Sequence, residues 1–489
     1  MTRNIKALLL SITFVSATSC GNDWLNMDPS TELPTVDAIQ NYKDLTAALN
    51  GIYDGMQEDP SYYGAQMLYY GDVRGEDMQA SSSAARSSDL YMFNYTLDNA
   101  PQIWETPYNV IRRANNVIQA IEEGKVTDGT PVNISDIKGQ ALAARALAHF
   151  DLVRVYGLPY TLNQGASYGV PVVTQPKESS FIAGRNSVAE VYNQVEADLT
   201  EAIDLLKAAP VVGYFNQWAA KGLLSRVYLY KGENQKALDL AKDVIDNSPY
   251  ALWKNEEYVK AWSQQGTSEH IFEIVNASTS DWVDREAIGY LMSESGYGAI
   301  LLSNNYLKLI YEDQNDVRIG VTKLSKNDTV PGSKKTLYLN KFPGRGDKPD
   351  VRVNNIPVLR LSEIYLIAAE AAVKLNQPEA DTYLNAIVQR ANPKASAISG
   401  ATLADVLKER RKELVGEGHR FFDAMRNNQT ITRYTEFSAQ TSGWHLSLTD
   451  QARSFDISYT HALLPIPKAE CDVNPIIRAQ QNPGYSSAQ

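Results

Sequence analysis

Two stretches of the chain combine aromatic rings with planar polar side chains, the residue types that bind sugars. A sugar ring presents an apolar C–H face and a belt of hydroxyl groups, so its site needs an aromatic platform beside Asp, Asn or Arg side chains. The first stretch is the run Tyr69–Asp77 (YYGDVRGED), which continues to Tyr91, Phe93 and Tyr95. The second, rich in Gly and Ser, holds Trp282, Asp284, Arg285, Tyr290 and Tyr297. For each of these rings, packing inside its own loop is the competing interpretation.

Catalytic patterns are weak by comparison. Glu413 and Glu417 could serve acid–base chemistry if they faced a cleft. However, arginines are interleaved with them at helical spacing, which favours an ion-pair network: Arg410, Arg411, Arg420 and Arg426. We therefore predict a structural role for this charged run and no enzymatic activity.

Two further sequence patterns, a possible catalytic serine motif and the histidines, do not support an enzyme or a zinc site. Gly165–Gly169 (GASYG) matches the nucleophile-elbow pattern, but its surroundings are loop-like and Pro171 follows at once. The five histidines are scattered without the spacing of a zinc site, and His149 lies in a strongly helical stretch, where a structural role is expected. No cofactor and no metal site are predicted, although a structural calcium ion in the acidic loops stays open.

The composition argues against a nucleic-acid-binding protein and against an intrachain disulfide. The chain has 489 residues and a formal net charge of −11, with acidic and basic residues interspersed. A nucleic-acid partner is not expected, because phosphate binding requires a basic stripe. Cys20 and Cys471 are the two cysteines. If Cys20 is acylated, Cys471 has no disulfide partner.

The N-terminus reads as an export signal. Arg3 and Lys6 precede the apolar run Ala7–Ala17 (ALLLSITFVSA), which is too short to span a bilayer. The following Ala17–Cys20 (ATSC) resembles the lipobox of bacterial lipoproteins, in which signal peptidase II cleaves before a cysteine that receives a lipid. We predict that residues 1–19 are removed and that lipid on Cys20 anchors the protein. The alternative is a plain secretory signal in which Cys20 is incidental.

Helical periodicity dominates the rest of the chain. Helices are predicted over Val36–Gln57, Trp104–Glu123, Ile134–Tyr156 and, behind a Ser187/Glu190 capping box, from Val188 to Leu206. Two helical hairpins follow, each with small residues at close spacing: Asn216–Lys231 with Glu233–Asn247, and Leu361–Asn376 with Pro378–Arg390. They indicate degenerate tetratricopeptide hairpins that stack into a solenoid. The stretches Pro60–Pro101 and Asn276–Pro357 lack this period and are predicted to be functional loops.

Several segments, in order, resemble the SusD/RagB family of outer-membrane lipoproteins from Bacteroidetes. The segments that carry the resemblance are Asp23–Leu33, Trp104 to Asn116, Ala144–Pro159 (ARALAHFDLVRVYGLP), Leu359–Ala371 (LRLSEIYLIAAEA), Glu409–Phe422 (ERRKELVGEGHRFF), Leu464–Pro467 (LPIP) and Gln481–Tyr485 (QNPGY). Cys471 departs from the family pattern at a position where an apolar residue is expected.

The resemblance implies a mostly α fold, with a superhelical scaffold of tetratricopeptide hairpins and an irregular, loop-rich half that binds ligand. It implies one SusD-like domain over residues 20–489, with an N-terminal part over about 20–230 and a C-terminal part over about 270–489. The expected role is a surface lid that captures oligosaccharides and delivers them to a SusC-like TonB-dependent transporter in the outer membrane.

The family places ligand-stacking aromatics in the two stretches described first. On this basis the expected ligand contacts are Trp282, Tyr297, Tyr290 and Tyr91, with Arg74 and Asp77 as polar partners. Two other functions stay open: the same lid role with oligopeptide cargo, as in the RagB branch, and a surface glycosidase.

Overall fold

The computed structural model describes residues 38–57, 60–81, 85–101, 103–178, 180–278, 284–325, 337–345, 349–434 and 446–485. The predicted signal segment, Cys20 and Trp282 lie outside these residues. Among the described helices, none combines the length and the apolarity needed to cross a bilayer.

The described chain is mostly helical, as predicted, and its strands are short. The helices are α1 Tyr42–Gln57, α2 Gln66–Val73, α3 Ser88–Met92, α4 Glu105–Glu122, α5 Pro131–Tyr156, α6 Tyr160–Asn163, α7 Val188–Leu205, α8 Gln217–Lys231, α9 Asn234–Asn247, α10 Tyr258–Ala261, α11 Ile288–Met292, α12 Asn304–Ile310, α13 Leu361–Lys374, α14 Ala380–Ala391, α15 Leu403–Leu414, α16 Arg420–Arg426, α17 Asp450–Arg453, α18 Lys468–Val473 and α19 Pro475–Ala479. The strands are β1 Met78–Ala80, β2 His270–Ile274, β3 Ile300–Leu302, β4 Thr322–Leu324, β5 Leu337–Leu339, β6 Ile356–Arg360, β7 Ile431–Thr432 and β8 Ser454–Phe455.

The long helices form a row in which each packs against the next. Its order is α1, α4, α5, α7, α8, α9, α13 and α14, and it includes both predicted hairpins. The small residues of α5 explain its central place, since Ala141, Ala144 and Ala148 are fully buried and let its neighbours approach closely. This row is consistent with the predicted solenoid.

The ends of these helices follow their sequence signals. Ser187 Oγ accepts the Glu190 amide N–H at 3.2 Å while Glu190 Oε2 accepts the Ser187 amide N–H at 2.7 Å, so the predicted capping box forms. Gly232 ends α8 with φ +83°, a left-handed conformation that glycine adopts without strain. The predicted and observed bounds therefore agree within a few residues for the capped helices.

Buried arginines link neighbouring helices of the row. Arg145 on α5 donates two hydrogen bonds to Asp198 on α7, at 2.8 and 2.7 Å, and a third to Asn115 on α4. Such bidentate pairs fix the relative orientation of two helices because both hydrogen bonds must be satisfied at once.

The strands pair in antiparallel twos between distant parts of the chain. In one pair, Met78 faces Leu302 and Ala80 faces Ile300, so β1 and β3 bring the first and the second aromatic stretch side by side. The Ser81 amide N–H extends this pairing by donating to the Ala299 carbonyl at 2.8 Å.

The stretch from Pro60 to Pro101 differs from its prediction as a functional loop. It contains α2, β1 and α3, and every described residue from Met67 to Ser81 is buried. Its aromatic and apolar residues lack a clear helical period because they contact the core on several sides rather than on one.

Candidate functional site

The pairing of β1 with β3 creates a surface from two segments that are about 200 residues apart in sequence. Arg86 follows β1, whereas Glu286, Tyr290 and Tyr297 precede β3. The Ser87 hydroxyl donates to the Ala299 carbonyl at 3.3 Å and so holds the Arg86 segment against β3. We call the surface formed by Arg86, Glu286, Tyr290 and Tyr297 the tyrosine site.

Two half-buried tyrosines form the centre of the tyrosine site. The rings of Tyr290 and Tyr297 meet edge to face, with centroids 4.9 Å apart and an interplanar angle of 86°. A tight turn fixes their backbones, because the Tyr297 amide N–H donates to the Tyr290 carbonyl at 2.9 Å. Gly296 makes this turn possible, since a Cβ atom there would lie 2.1 Å from the Tyr290 carbonyl oxygen.

A guanidinium and a carboxylate complete the tyrosine site. The Arg86 guanidinium carbon lies 3.9 Å from the ring centroid of Tyr297, and Arg86 Nε donates to Glu286 Oε1 at 2.6 Å. Both charged side chains are partly exposed. Tyr69 lies in the core near Glu286. Burial raises the pKa of the Tyr69 hydroxyl, and the negative charge of Glu286 raises it further.

A third tyrosine supports the turn from below. Gly298 has φ +52°, and a Cβ atom there would lie 2.9 Å from the ring of Tyr338 on β5. The absence of a side chain at this position lets the Tyr338 ring pack against the backbone that follows Tyr297.

The tyrosine site therefore offers aromatic surface, a planar donor and an acceptor in one place. A guanidinium donates to two neighbouring hydroxyl groups and a carboxylate accepts from others, while aromatic rings contact C–H faces. This combination suits a neutral polyhydroxylated ligand.

The close approach at Gly296 yields a testable prediction. Gly296→Ala inserts a methyl group against the Tyr290 carbonyl, so we expect the turn to open at a cost of about 1–3 kcal/mol. The tyrosine pair should lose its edge-to-face geometry, and glycan affinity should fall in calorimetry while the helical signal in circular dichroism is retained. Gly51→Ala on α1 is the matched control, since nothing lies within 4 Å of its added Cβ. Equal affinities for the two variants would contradict the role of the turn.

Arg74, by contrast, lies in the core, although it was predicted to contact ligand. Its guanidinium lies 4.0 Å from the ring centroid of Phe421 and donates to the carbonyls of His461 and Ala462, both at 2.8 Å. It is fully buried. This prediction is corrected: Arg74 joins the first stretch to the C-terminal segment.

Tyr91 and Asp77 are corrected for the same reason. The Tyr91 ring is fully buried beneath the Arg433 guanidinium, 4.2 Å from the ring centroid. Asp77 is 1 % exposed and accepts a hydrogen bond from Arg411 Nε at 2.8 Å. Neither side chain offers surface to a ligand. Of the six predicted contacts, Tyr290 and Tyr297 are the two that the described structure brings together at a surface.

Asp72, in the same buried stretch, yields a second prediction. Burial raises the pKa of its carboxyl group to about 8, although the Gly418 amide N–H donates to Oδ2 at 2.6 Å. Because the pKa in the folded state lies above that of the unfolded chain, this group destabilises the fold progressively as pH rises through the interval between them.

We therefore expect Asp72→Asn to gain stability relative to the native protein as pH rises from about 4 to about 8. The upper limit of the slope is about 1.4 kcal/mol per pH unit. Urea unfolding of both proteins across this range measures the difference. A difference that does not vary with pH would contradict a buried, protonated Asp72.

Glu413 and Glu417 form an ion-pair network, as predicted, but with other partners. Arg360 donates to Glu417 Oε2 and to Glu413 Oε1, at 2.7 and 3.1 Å, and Lys341 donates to Glu417 Oε1 at 2.7 Å. The interleaved arginines of the same run pair elsewhere: Arg410 with Asp423, Arg411 with Asp77, Arg420 with Glu76 and Arg426 with Glu370. Glu413 and Glu417 are both buried. Burial alone would raise the carboxyl pKa of Glu417, but Arg360 and Lys341 lower it to about 2.

Two further residues considered in the sequence analysis, His149 and Cys471, lie in the core. His149 is fully buried; its Nε2 accepts the Val173 amide N–H at 3.2 Å, and burial lowers its pKa to about 3. Cys471 is buried, as expected for a position that favours an apolar residue. Among the described residues, no group of three or more His, Cys, Asp or Glu side chains is arranged to hold a metal ion.

Arg86 and Glu286 belong to the tyrosine site but were not predicted, and neither was Tyr338, which packs beneath the turn. Arg86 lies only five residues before Tyr91, and Glu286 directly follows Arg285, so both occur within the predicted stretches. The missing signal was the pairing of β1 with β3, which brings their two segments together.

Comparisons with known proteins agree with this architecture. Residues 230–485 match the model described as the SusD family, and residues 23–229 match one described as starch-binding associating with outer membrane. The first match spans more than half of the chain. The chain belongs to the SusD family.

Solved SusD-like structures share the whole fold. A protein from Bacteroides vulgatus whose name suggests sugar binding is 40 % identical, with a TM-score of 0.84 over 92 % of this chain and 100 % of its own. A SusD superfamily protein from the same organism is 38 % identical, with a TM-score of 0.85 over the same shares. Among curated relatives compared by sequence, a SusD-like protein from Formosa agariphila is 23 % identical over 86 % of this chain and 92 % of its own length.

Proposed function

We propose that this SusD-family protein binds oligosaccharides at the tyrosine site without altering them. The observation that carries the proposal is the cluster of Tyr290, Tyr297, Arg86 and Glu286 at one surface. Aromatic rings beside a planar donor and an acceptor meet the needs of a sugar ring. The description of one matching family model as starch-binding, and the name of the relative from Bacteroides vulgatus, support the same ligand class.

Trp282 remains part of the proposal. It lies outside the described residues, but it precedes Arg285 and Glu286 by three and four positions. This nearness in sequence, together with the family resemblance, is what keeps Trp282 in the proposal as a ligand contact.

We further propose that residues 1–19 are a signal peptide and that lipid on Cys20 anchors a single SusD-like domain, residues 20–489, to the outer membrane. Its proposed partner is a SusC-like TonB-dependent transporter, on which the protein acts as a lid. The family-model description of outer-membrane association supports this location.

The ligand class is tested with the purified mature chain on a glycan array and on a peptide library. Saturable binding of oligosaccharides, without release of reducing sugar from them, is the expected result. Binding to peptides alone would replace the proposal by the oligopeptide alternative. Release of reducing sugar would establish a glycosidase instead.

The lid role needs a separate experiment on the native complex. Mass spectrometry of the protein gently extracted from outer membranes should recover a barrel partner, an oligosaccharide and acylated Cys20 together. A lipidated monomer without partner or cargo would refute the transporter role.

A further inference from the structure

Tyr69, the first aromatic residue of the buried first stretch, approaches the tyrosine site from the core. It lies on α2, which packs against α11, the helix that carries Tyr290. One side of α2 is closed by another segment, because a Cβ atom at Gly71 would lie 2.1 Å from the Gly418 carbonyl oxygen. Side chains two residues apart on a helix point about 200° away from each other, so Tyr69 faces away from Gly418 and towards α11.

The charge of Glu286 reaches the Tyr69 hydroxyl group. Burial raises the pKa of this hydroxyl, and the Glu286 carboxylate raises it further. Among the described residues, Glu286 is the charged group whose field acts on it. Tyr69 therefore keeps its proton at neutral and moderately alkaline pH, and its hydroxyl group stays a hydrogen-bond donor close to a carboxylate.

The Tyr69 hydroxyl group has no hydrogen-bond partner in the part of the chain that the structure describes. Tyr69 is 8 % exposed, and its hydroxyl is not sealed from solvent, whereas the unpartnered hydroxyls of Tyr156 and Tyr230 are. Tyr62 differs again, since its hydroxyl donates to Asp151 Oδ2 at 2.8 Å. Tyrosine hydroxyls in a core normally find a partner, so that of Tyr69 is available to a group that arrives from solvent.

Glu286 offers an acceptor near this donor. Arg86 Nε donates to Glu286 Oε1 at 2.6 Å, and no second cation pairs with Glu286 among the described residues. The Glu286 side chain is 30 % exposed, so its carboxylate is reachable from solvent. A donor and an acceptor therefore lie close together at the edge of the tyrosine site.

We infer that Tyr69 and Glu286 together bind one hydroxyl group of an oligosaccharide whose sugar ring packs against Tyr290 and Tyr297. The Tyr69 O–H donates to the oxygen of that sugar hydroxyl, and the sugar O–H donates to the Glu286 carboxylate. This inference rests on the proposed function and adds to it a residue that determines specificity.

A neutral hydroxyl group is the chemistry that this pair selects. One hydroxyl oxygen accepts a hydrogen bond and donates another, whereas an amide carbonyl only accepts and an amide N–H only donates. A carboxylate on the ligand would meet the like charge of Glu286, which is unfavourable. The pair therefore favours neutral sugars over peptide backbones and over sugar acids.

The test is calorimetry on the purified mature chain with the neutral oligosaccharide that binds most tightly on the glycan array. Tyr69→Phe removes the hydroxyl and keeps the ring, so the affinity should fall about three- to tenfold, the effect of one hydrogen bond. Its urea midpoint should not change, because no hydrogen bond within the protein is lost. Tyr62→Phe is the matched control: loss of its hydrogen bond to Asp151 should lower the midpoint and leave the affinity unchanged.

Two further comparisons test whether a single sugar hydroxyl is held. One monodeoxy analogue of the same oligosaccharide should bind the native protein and Tyr69→Phe equally well, because it lacks the hydroxyl that Tyr69 contacts. Tyr69→Phe combined with Glu286→Gln should weaken binding by less than the product of the two single effects, since each substitution breaks the same contact.

Three results would overturn the inference and leave the proposed function standing: a Tyr69→Phe affinity within twofold of the native one, a loss that persists with every monodeoxy analogue, or single effects that multiply in the double variant. Absence of binding to any oligosaccharide on the array would refute the proposed function and this inference with it.

Discussion

Tyr297→Ala should abolish most of the glycan affinity of the protein. The ring contacts both Tyr290 and Arg86, so its removal deletes aromatic surface and also releases the guanidinium from its position. Loss of one buried aromatic contact costs about 1.5–3 kcal/mol, which corresponds to a Kd roughly 10- to 150-fold higher. Isothermal titration with the tightest-binding oligosaccharide from the array measures this change directly.

Two control variants show whether the loss of affinity in Tyr297→Ala comes from the ring at this position. Tyr297→Phe retains the ring and should bind nearly as well as the native protein if stacking dominates. Tyr311→Ala removes a tyrosine that is 45 % exposed and has no recorded ring contact in the described structure, so its affinity should be unchanged. A Tyr297→Ala protein that binds within twofold of the native one would exclude Tyr297 from the site.

The largest effect on stability should come from Arg360→Ala. Arg360 is buried and pairs with three buried carboxylates, those of Glu269, Glu413 and Glu417. Removal of one partner from a buried ion pair typically costs about 3–5 kcal/mol, because the opposite charge is left without compensation. Each carboxylate keeps a second cation, Lys341 for Glu417 and Arg390 for Glu269 and Glu413, so we expect a decrease of about this size and not a larger one in the free energy of unfolding at neutral pH, measured by urea titration.

The loss of stability in Arg360→Ala should depend on pH. Arg360 and Lys341 hold the pKa of the Glu417 carboxyl at about 2, below its ordinary value of 4.5. A depressed pKa in the folded state stabilises the protein above the unfolded value, and this contribution is lost as pH falls from about 4.5 to about 2. The difference between native protein and Arg360→Ala should therefore shrink over that interval.

Arg453→Ala supplies the surface control. Arg453 pairs with Asp450 at 2.8 Å, and the Asp450 side chain is largely exposed. A solvent-exposed pair contributes about 0–1 kcal/mol. If Arg360→Ala costs no more than Arg453→Ala, the buried network does not stabilise the fold.

The helical scaffold was predictable because its signals are local. The Ser187/Glu190 capping box and Gly232 act within one turn of chain, and both function in the structure as predicted. The apolar periodicity that predicted α5 and α13 likewise reports burial along a single helix. Family segments with the same local patterns, such as Leu359–Ala371, indicated the SusD fold for the same reason.

Burial of polar residues was not predictable in this way. Arg74 and Asp77 have the composition of a ligand site, yet each is compensated by partners more than 300 residues away in sequence. A buried arginine and an exposed one look alike in the sequence, because the difference lies in the position of the distant carboxylate or carbonyl.

The sequence by itself determined the family, the helical hairpins and the two stretches that carry sugar-binding residue types. Only the tertiary structure decided which residues of those stretches reach a surface. The pairing of β1 with β3 brings Arg86 and Glu286 to the tyrosine pair, while the packing of α2 beneath the C-terminal segments encloses Arg74, Asp77 and Tyr91. Local patterns specify helices because the hydrogen bonds of a helix join near neighbours, whereas a site built by long-range strand pairing depends on contacts that no single segment encodes.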